Sequence, residues 1–277
     1  MLRQRIITAL ILAALFIVAL FGLDPLHFAG FAALAMVIAA WEWSNLSALT
    51  GLVSRGVFVA VTAALLGAVL WYAGYFHHDV DEDLVRTVLL AGCIWWAVAL
   101  LWVQGYPSSA ILWGSRPARL AIGLVVLVPA WLALTYLVVE PDGEWLVILA
   151  VLTVACADIG AYFSGRAFGR HKLAPAVSPG KTLEGVAGGL TLVMVLVGIY
   201  LLLVPDQRLY AWQWAVILGV AALSSVLGDL TESMVKRHRG VKDSGVILPG
   251  HGGALDRIDS LTAALPVFAL LHSLLIP

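Results

Sequence analysis

Four polar residues stand at helical spacing inside an otherwise apolar stretch late in the chain. They are Asp229, Glu232, Ser233 and Lys236, at offsets of three, four and seven residues. In an α-helix these offsets place all four side chains on one face. A carboxylate at the centre of a bilayer costs about 2.5–3.5 kcal/mol even on insertion scales, so such a residue usually has a partner and a function. The stripe is therefore a candidate for part of a reactive site.

The segment Ser233–Ser260 continues this polar chemistry. It carries cations, carboxylates and a glycine-rich run around His251, namely Lys236, Arg237, Arg239, Lys242, Arg257, Asp243, Asp256, Asp259 and Pro249–Gly253. Cations neutralise phosphate oxygens, glycine amides can cradle them, and carboxylates bind Mg²⁺. The combination predicts a phosphate ligand bridged by a divalent metal. A cytoplasmic membrane loop would account for the cations, but not for the carboxylates and the glycine-rich run. For Asp259, contact with headgroup water is an equally good interpretation.

An earlier polar segment, Asp158–Gly185, has the same character. It contains Arg166, Arg170, Lys172 and Lys181 among five glycines. Gly180-Lys181-Thr182 looks like the end of a P-loop, but Pro175 stands where that motif needs its first glycine. We expect Ser178-Pro179-Gly180 to form a turn into the next helix. The pair Gly185 and Gly189 is typical of close helix packing.

These segments must be held by membrane helices. The chain has 277 residues, of which 62% are hydrophobic and 12% are charged. Such a composition excludes a secreted disulfide scaffold, a disordered chain and a nucleic-acid binder, and predicts an all-α polytopic membrane protein. Apolar runs of about 20 residues predict about nine spans. They are Ile6–Leu23, Leu26–Trp43, Val57–Tyr75, Val85–Trp102, Leu120–Val139, Trp145–Gly165, Gly185–Val204, Trp212–Val235 and Ser260–Ile276.

The distribution of Lys and Arg predicts the orientation of these spans. With the N-terminus in the cytoplasm, only Arg86 and Arg208 fall in external loops, so 14 of the 16 Lys and Arg are cytoplasmic. This is the bias that orients membrane proteins. The first 150 residues have almost no polar residue within their spans. We therefore expect residues 1–150 to form a scaffold and residues 151–277 to form the catalytic part.

The polar segments resemble the phosphatidate cytidylyltransferase family, also called CDP-diacylglycerol synthase. Every fixed position of that family's C-terminal signature is present, at Ser233, Lys236, Arg237, Lys242, Asp243, Gly245, Leu248, Pro249, His251, Gly252, Gly253, Asp256, Arg257 and Asp259. The family's upstream segments also occur, at Asp158–Phe163 and Ser178–Gly185. Ala254 and Leu183 depart from the usual family residues at positions that we interpret as packing positions.

The resemblance implies that CTP and phosphatidic acid react to give CDP-diacylglycerol and pyrophosphate. It implies Mg²⁺ as cofactor, with a second cation such as K⁺ as a further candidate. It also implies a homodimer in the cytoplasmic (inner) membrane, with the active site on the cytoplasmic side. The implied catalytic residues are Asp229, Asp256, Lys236, Asp243 and Arg257. The implied substrate-binding residues are Lys181, Ser178, Arg237, Lys242, His251, Gly252, Gly253 and Asp158, and the implied metal ligands are Asp229, Asp256 and Asp259.

Two alternative functions stay open on the sequence alone. A CTP-dependent kinase of a lipid alcohol would transfer the terminal phosphoryl group and release CDP instead of pyrophosphate. An ion-coupled transporter would use intramembrane Asp residues as ion sites, and it predicts broken helices in both halves of the chain.

Overall fold

The computed structural model describes residues 2–77, 80–204, 208–248, 250 and 252–276, with only the backbone described for residues 2–5 and for residue 77. The helices are α1 (Leu2–Gly22), α2 (Pro25–Leu46), α3 (Leu52–Tyr72), α4 (Glu82–Gly105), α5 (Ala110–Trp113), α6 (Arg116–Val139), α7 (Gly143–Phe168), α8 (Leu183–Leu203), α9 (Ala211–Arg239) and α10 (Leu255–Leu275). A short 3-10 helix covers Tyr75–His77, and a hairpin joins β1 (Lys172–Ala174) to β2 (Ser178–Thr182).

The architecture is that of an all-α polytopic membrane protein, as predicted. Within the described residues, eight helices are long and apolar enough to cross a membrane, and the apolar part of α1, Ile6–Gly22, is shorter. The number of nine spans and the cytoplasmic position of the N-terminus stay predictions.

The helix ends follow ordinary capping chemistry. Asp24 precedes Pro25, and its Oδ1 accepts hydrogen bonds from the amides of Leu26 and His27 at 3.1 and 3.2 Å. This cap starts α2 directly after α1. Thr182 caps α8 through a 3.1 Å bond from the Gly185 amide to its Oγ1. Gly240 ends α9 with a φ of 77°, a backbone conformation that favours glycine.

The buried centre of the bundle is formed by α6 and α10. In the most apolar 18-residue stretch of α6 and of α10, 78% and 67% of the residues are buried, whereas the share is 17% in α3 and in α8. The helices α2, α4 and α7 pack around α6, and α9 pairs with α10. The loop between α9 and α10 therefore lies at one end of the bundle, beside the C-terminal end of α2.

The helices α7 and α8 approach each other through glycines. A Cβ on Gly160 would lie 2.5 Å from the carbonyl oxygen of Gly188, and one on Gly189 would lie 2.6 Å from that of Ala157. No side chain fits at either contact. A Cβ on Gly185 would lie 3.0 Å from the carbonyl oxygen of Ala161, so the prediction that Gly185 and Gly189 serve helix packing is confirmed.

Beside the polar segments, two predicted helix boundaries and one predicted turn are wrong. The helix α9 continues to Arg239 rather than ending at Val235, and α10 begins at Leu255 rather than Ser260. Lys236, Asp256 and Asp259 are thus helical residues, because the polar face of each helix packs against its neighbour. The segment Ser178–Gly180 belongs to β2, whose register pairs Ser178 with Ala174 and Thr182 with Lys172, and is not a simple turn.

Candidate active site

The polar stripe of α9 lies on one helix face, as predicted. The Ser233 hydroxyl donates to Asp229 Oδ1 at 3.1 Å, and Lys236 Nζ lies 3.3 Å from Glu232 Oε1. Both contacts join residues four positions apart. The stripe therefore presents alternating hydrogen-bonding and charged groups toward α10 and the α7–α8 hairpin.

A buried ion pair joins α9 to α10. Lys236 Nζ donates to Asp256 Oδ1 at 2.7 Å, and the two side chains are only 9% and 8% exposed. Asp256 Oδ2 accepts hydrogen bonds from the amides of Ser244 and Gly253, at 2.9 and 2.8 Å. The loop between the helices thus folds back onto Asp256, whose carboxylate accepts hydrogen bonds from three donors.

A second ion pair joins the hairpin to α9. Lys181 Nζ lies 2.6 Å from Asp229 Oδ2, and the side chains are 23% and 31% exposed. Arg237 reinforces this contact by donating from Nε to the carbonyl oxygen of Val177 at 3.3 Å. The hairpin therefore brings Lys181 and Asp229 together although they are far apart in sequence.

Asp259 and Glu232 lie between the two ion pairs. The backbone of Asp259 packs on α9 next to Asp229, because a Cβ on Gly228 would overlap the Asp259 carbonyl oxygen. Apart from the Lys236 ion pair, neither buried oxygen of Glu232 has a hydrogen-bond partner among the described residues. The two pairs and these carboxylates form one continuous polar cluster.

Two cavities near Lys181 share part of their lining. The smaller cavity has a volume of about 190 Å³ and is lined by Asp158, Lys181, Val226 of α9 and neighbouring residues of α7, β2 and α8. The apolar cavity has a volume of about 430 Å³ and lies between α4, α8, α9 and the hairpin. Val186 and Val226 line both cavities. An amphiphilic molecule could place its charged end in the first and its apolar part in the second.

The remaining predicted residues lie at the edge of the cluster. Lys242 and Asp243 are exposed and line a third cavity of about 410 Å³ together with Trp41 and Arg55. Arg257 is exposed on the first turn of α10. His251 lies outside the described residues.

The two predicted glycines of the loop have different surroundings. Gly252 adopts a φ of 81° and forms an isolated bridge with Leu248. The family resemblance implies that Gly253 binds substrate. The space that a Cβ of Gly253 would need is taken by the side chains of Ser244 and Glu42, so this glycine accommodates groups of the chain itself.

Sequence reasoning missed Glu42, which lies near the end of α2 and is 2% exposed. It accepts hydrogen bonds from the amides of Ala254 and Leu255 and from the Ser244 hydroxyl. The available signal was a lone acidic residue between Trp41 and Trp43 in an apolar span. The expectation that the first half is nearly free of polar residues within its spans overlooked it.

The oxygen-rich donor set fits a divalent cation in part. Mg²⁺ prefers carboxylate oxygens and retained waters, and Glu232 offers two buried oxygens beside Asp259 and the half-exposed Asp229. Among the residues that the structure describes, no three His, Cys, Asp or Glu side chains are grouped to hold a metal. Lys181 and Lys236 instead neutralise Asp229 and Asp256.

The sequence matches the model of the cytidylyltransferase family over residues 3–275, nearly the whole chain. The chain belongs to the cytidylyltransferase family. The similarity also extends to curated relatives. A phosphatidate cytidylyltransferase of Pseudomonas aeruginosa is 45% identical, with 98% of this chain and 97% of the relative covered. One of Haemophilus influenzae is 40% identical over 98% and 99%, and one of Staphylococcus haemolyticus is 34% identical over 97% and 98%.

Membership of the cytidylyltransferase family covers both halves of the chain. The match includes α2 as well as the polar segments that carry the resemblance. The residues that surround the cluster, including Glu42, therefore lie within the same matched range as Lys181, Asp229 and Asp256.

Proposed function

We propose that this chain transfers the cytidylyl group of CTP to phosphatidic acid and releases pyrophosphate, which forms CDP-diacylglycerol for phospholipid biosynthesis. The observation that carries the proposal is the closeness of the two cavities, because Lys181 lines the smaller one and Val186 and Val226 line both. A lipid phosphate can place its anionic head near Lys181 and its acyl chains against the apolar wall. Family membership supports the same reaction.

The reaction needs positioning more than a strong base. A phosphate oxygen of phosphatidic acid forms a bond to the α-phosphorus of CTP, and the bond from that phosphorus to the β-phosphate bridge oxygen breaks. The nucleophile is already anionic, so no side chain must remove a proton. Fixed positive charges near the reacting oxygens lower the barrier by stabilising developing charge. Lys181 is the best placed for this role, because it reaches the cavity and its partner Asp229 remains partly exposed.

The other predicted roles divide between framework and substrate contact. Asp256 and Lys236 are buried and fix the α9–α10 loop, so we assign them to the framework of the site as well as to catalysis. The exposed cations Arg237, Lys242 and Arg257 are proposed to contact a triphosphate that arrives from solvent, and the exposed Asp243 keeps its predicted catalytic role. Asp158, Ser178, Gly252 and His251 keep their predicted substrate-binding role as part of this proposal, whereas Gly253 donates its amide to Asp256 and is assigned to the framework.

We also propose Mg²⁺ as the cofactor, with K⁺ as the second candidate cation. Asp229, Asp256 and Asp259 would hold it, with Glu232 as an additional oxygen donor. When bound, Mg²⁺ supplies charge neutralisation to phosphate oxygens. The carboxylates would bind and orient it, while Lys181 and Lys236 would balance their charge.

The proposed location is the cytoplasmic membrane, with the site on the cytoplasmic side. The hairpin, the α9–α10 loop and the end of α2 meet at one end of the bundle, and all belong to segments that charge bias predicts to be cytoplasmic. We also propose that the protein forms a homodimer, on the basis of the family resemblance alone.

The test is product analysis with the purified protein in detergent, with and without Mg²⁺. Label from α-phosphate-labelled CTP should appear in lipid when phosphatidic acid is present, and label from γ-phosphate-labelled CTP should not. Transfer of the γ-label to diacylglycerol would instead identify a lipid kinase. Absence of label in lipid from either nucleotide would refute both enzymatic functions and leave the transporter for flux measurements.

A further inference from the structure

We infer that Glu42, on the second helix of the chain, is a positioning residue that holds Asp256 and the loop between α9 and α10 in their working arrangement. The inference concerns the site of the proposed cytidylyl transfer and in that respect rests on it. It assigns a function in the site to the half of the chain expected to be scaffold.

The contacts of Glu42 are numerous for one buried side chain. Its Oε1 accepts from the Ala254 amide at 3.0 Å, and its Oε2 accepts from the Leu255 amide at 2.8 Å and the Ser244 hydroxyl at 3.0 Å. The residue is 2% exposed. A buried carboxylate is costly unless it is fully hydrogen-bonded, so these three donors determine where it can lie.

Glu42 acts as the N-terminal cap of α10. The residue at the cap position, Ala254, has no side chain that could accept a hydrogen bond. The first amides of a helix need acceptors, and the helix dipole favours a negative charge there. The carboxylate of Glu42 meets both needs from another helix. The cap therefore also fixes α10 against α2.

The same contacts lead directly to Asp256. Leu255 is its neighbour in the chain, and Ser244 donates its hydroxyl to Glu42 and its amide to Asp256 Oδ2. Gly253 donates its amide to Asp256, and a Cβ there would overlap Glu42 and Ser244. Thus each backbone group that holds Asp256 is itself held by, or packed on, Glu42.

A Cβ on Gly245 would also overlap the Glu42 carboxyl. Two glycines of the signature, Gly245 and Gly253, therefore leave room for this carboxylate. Without Glu42, the loop would lose its anchor and Asp256 would lose its fixed orientation. A misplacement of about 1 Å at a reacting group can lower turnover about 100-fold.

The main variant is Glu42→Gln in the full-length protein. A glutamine has one acceptor oxygen, and its amide nitrogen would face backbone donors. We expect kcat per folded molecule to fall about 100-fold, while KM for CTP and for phosphatidic acid changes less than about threefold. Glu42→Asp, which keeps the charge, should recover part of kcat. A folded Glu42→Gln protein with wild-type kcat would overturn the inference.

The matched control is Arg119→Met. Arg119 is another buried charged residue that ties to α2, donating to the Leu46 carbonyl at 2.7 Å. We expect this variant to lose stability but to keep kcat per folded molecule within about threefold, because an effect on stability alone leaves the folded site intact. An equal kcat loss in both variants would show a general packing effect and refute positioning by Glu42.

If Glu42→Gln does not fold, Ser244→Ala tests the inference instead. It removes one hydroxyl donor to Glu42 and leaves the backbone unchanged, so we expect a kcat loss of about tenfold, the scale of a single hydrogen bond of about 1.4 kcal/mol. The double variant should be no worse than Glu42→Gln alone, because both changes break the same link. A wild-type kcat for Ser244→Ala would overturn the inference in that case.

Hydrogen exchange separates this inference from the proposed function. The amides of Ala254 and Leu255 should exchange at least about tenfold faster in Glu42→Gln than in wild-type protein or Arg119→Met, because their acceptor is weakened. This readout needs no substrate. If wild-type protein forms no labelled lipid, the proposed function fails while the anchoring by Glu42 can still be tested. Unchanged exchange in Glu42→Gln would refute the anchoring itself.

Discussion

Asp229→Asn and Asp256→Asn should separate the chemical contribution of a carboxylate from its structural contribution. The family resemblance implies the same roles for the two residues, as catalytic residues and metal ligands. In the structure they differ, because Asp229 is 31% exposed beside Lys181 whereas Asp256 is 8% exposed beside Lys236. The same substitution should therefore have different effects on stability.

The burial of each pair sets the expected magnitude. Asp256→Asn removes the charge opposite a buried ammonium, and its single acceptor oxygen cannot serve Lys236, Ser244 and Gly253 together. Breaking a buried pair costs about 3–5 kcal/mol, and we expect the lower end, since Lys236 keeps Glu232 at 3.3 Å. Asp229→Asn breaks a partly exposed pair and should cost at most about 1 kcal/mol.

The assay combines unfolding in detergent with initial rates from α-labelled CTP. We expect Asp229→Asn to lose at least about 100-fold in turnover, the scale of one electrostatic stabiliser, with a nearly unchanged free energy of unfolding. Asp256→Asn should lose both turnover and about 3 kcal/mol of stability. Near-wild-type turnover of Asp229→Asn at saturating Mg²⁺ and CTP would refute its proposed role. Equal stabilities of the two variants would refute the burial reasoning.

Two further predictions test the orientation and the lipid side of the site. Cysteine at Val246, which is 94% exposed, should react with an impermeant thiol reagent only from the cytoplasmic side, and cysteine at Asp81 only from outside; reaction of both from one side would refute the topology. Ala176→Trp should partly fill the apolar cavity and raise KM for long-chain phosphatidic acid about tenfold, the effect of losing about 1.4 kcal/mol of apolar contact, while KM for CTP stays unchanged. An equal rise in both KM values would contradict the assignment of that cavity to acyl chains.

The sequence predicted the parts of this fold that depend on local pattern. Apolar runs located the membrane helices, and the spacing from Asp229 to Lys236 placed four side chains on one face, as the contacts of Ser233 with Asp229 and of Lys236 with Glu232 confirm. Periodicity and composition decide these features. The family signature also identifies both polar segments from the sequence alone.

Pairings between distant segments could not be read from the same pattern. Lys181 meets Asp229 because a short hairpin turns it toward α9, and nothing in Ser178–Gly180 distinguished a strand from a turn. Glu42 contacts mainly backbone amides, which every residue except proline carries. The identities of its partner residues therefore do not reveal the contact. Helix ends were misplaced where polar residues belong to the helix, as at Lys236 and Asp256.

The distance in sequence between Glu42 and its partners has a consequence for biosynthesis. The carboxylate accepts from residues 202 to 213 positions further along the chain. During translation, α2 therefore emerges and inserts long before α10 is synthesised. Until then, Glu42 lacks these hydrogen-bond donors. The working arrangement can be completed only when the last helix docks. Residues 151–277 expressed alone would lack this anchor, so we expect the α9–α10 loop to lose its fixed arrangement in such a fragment.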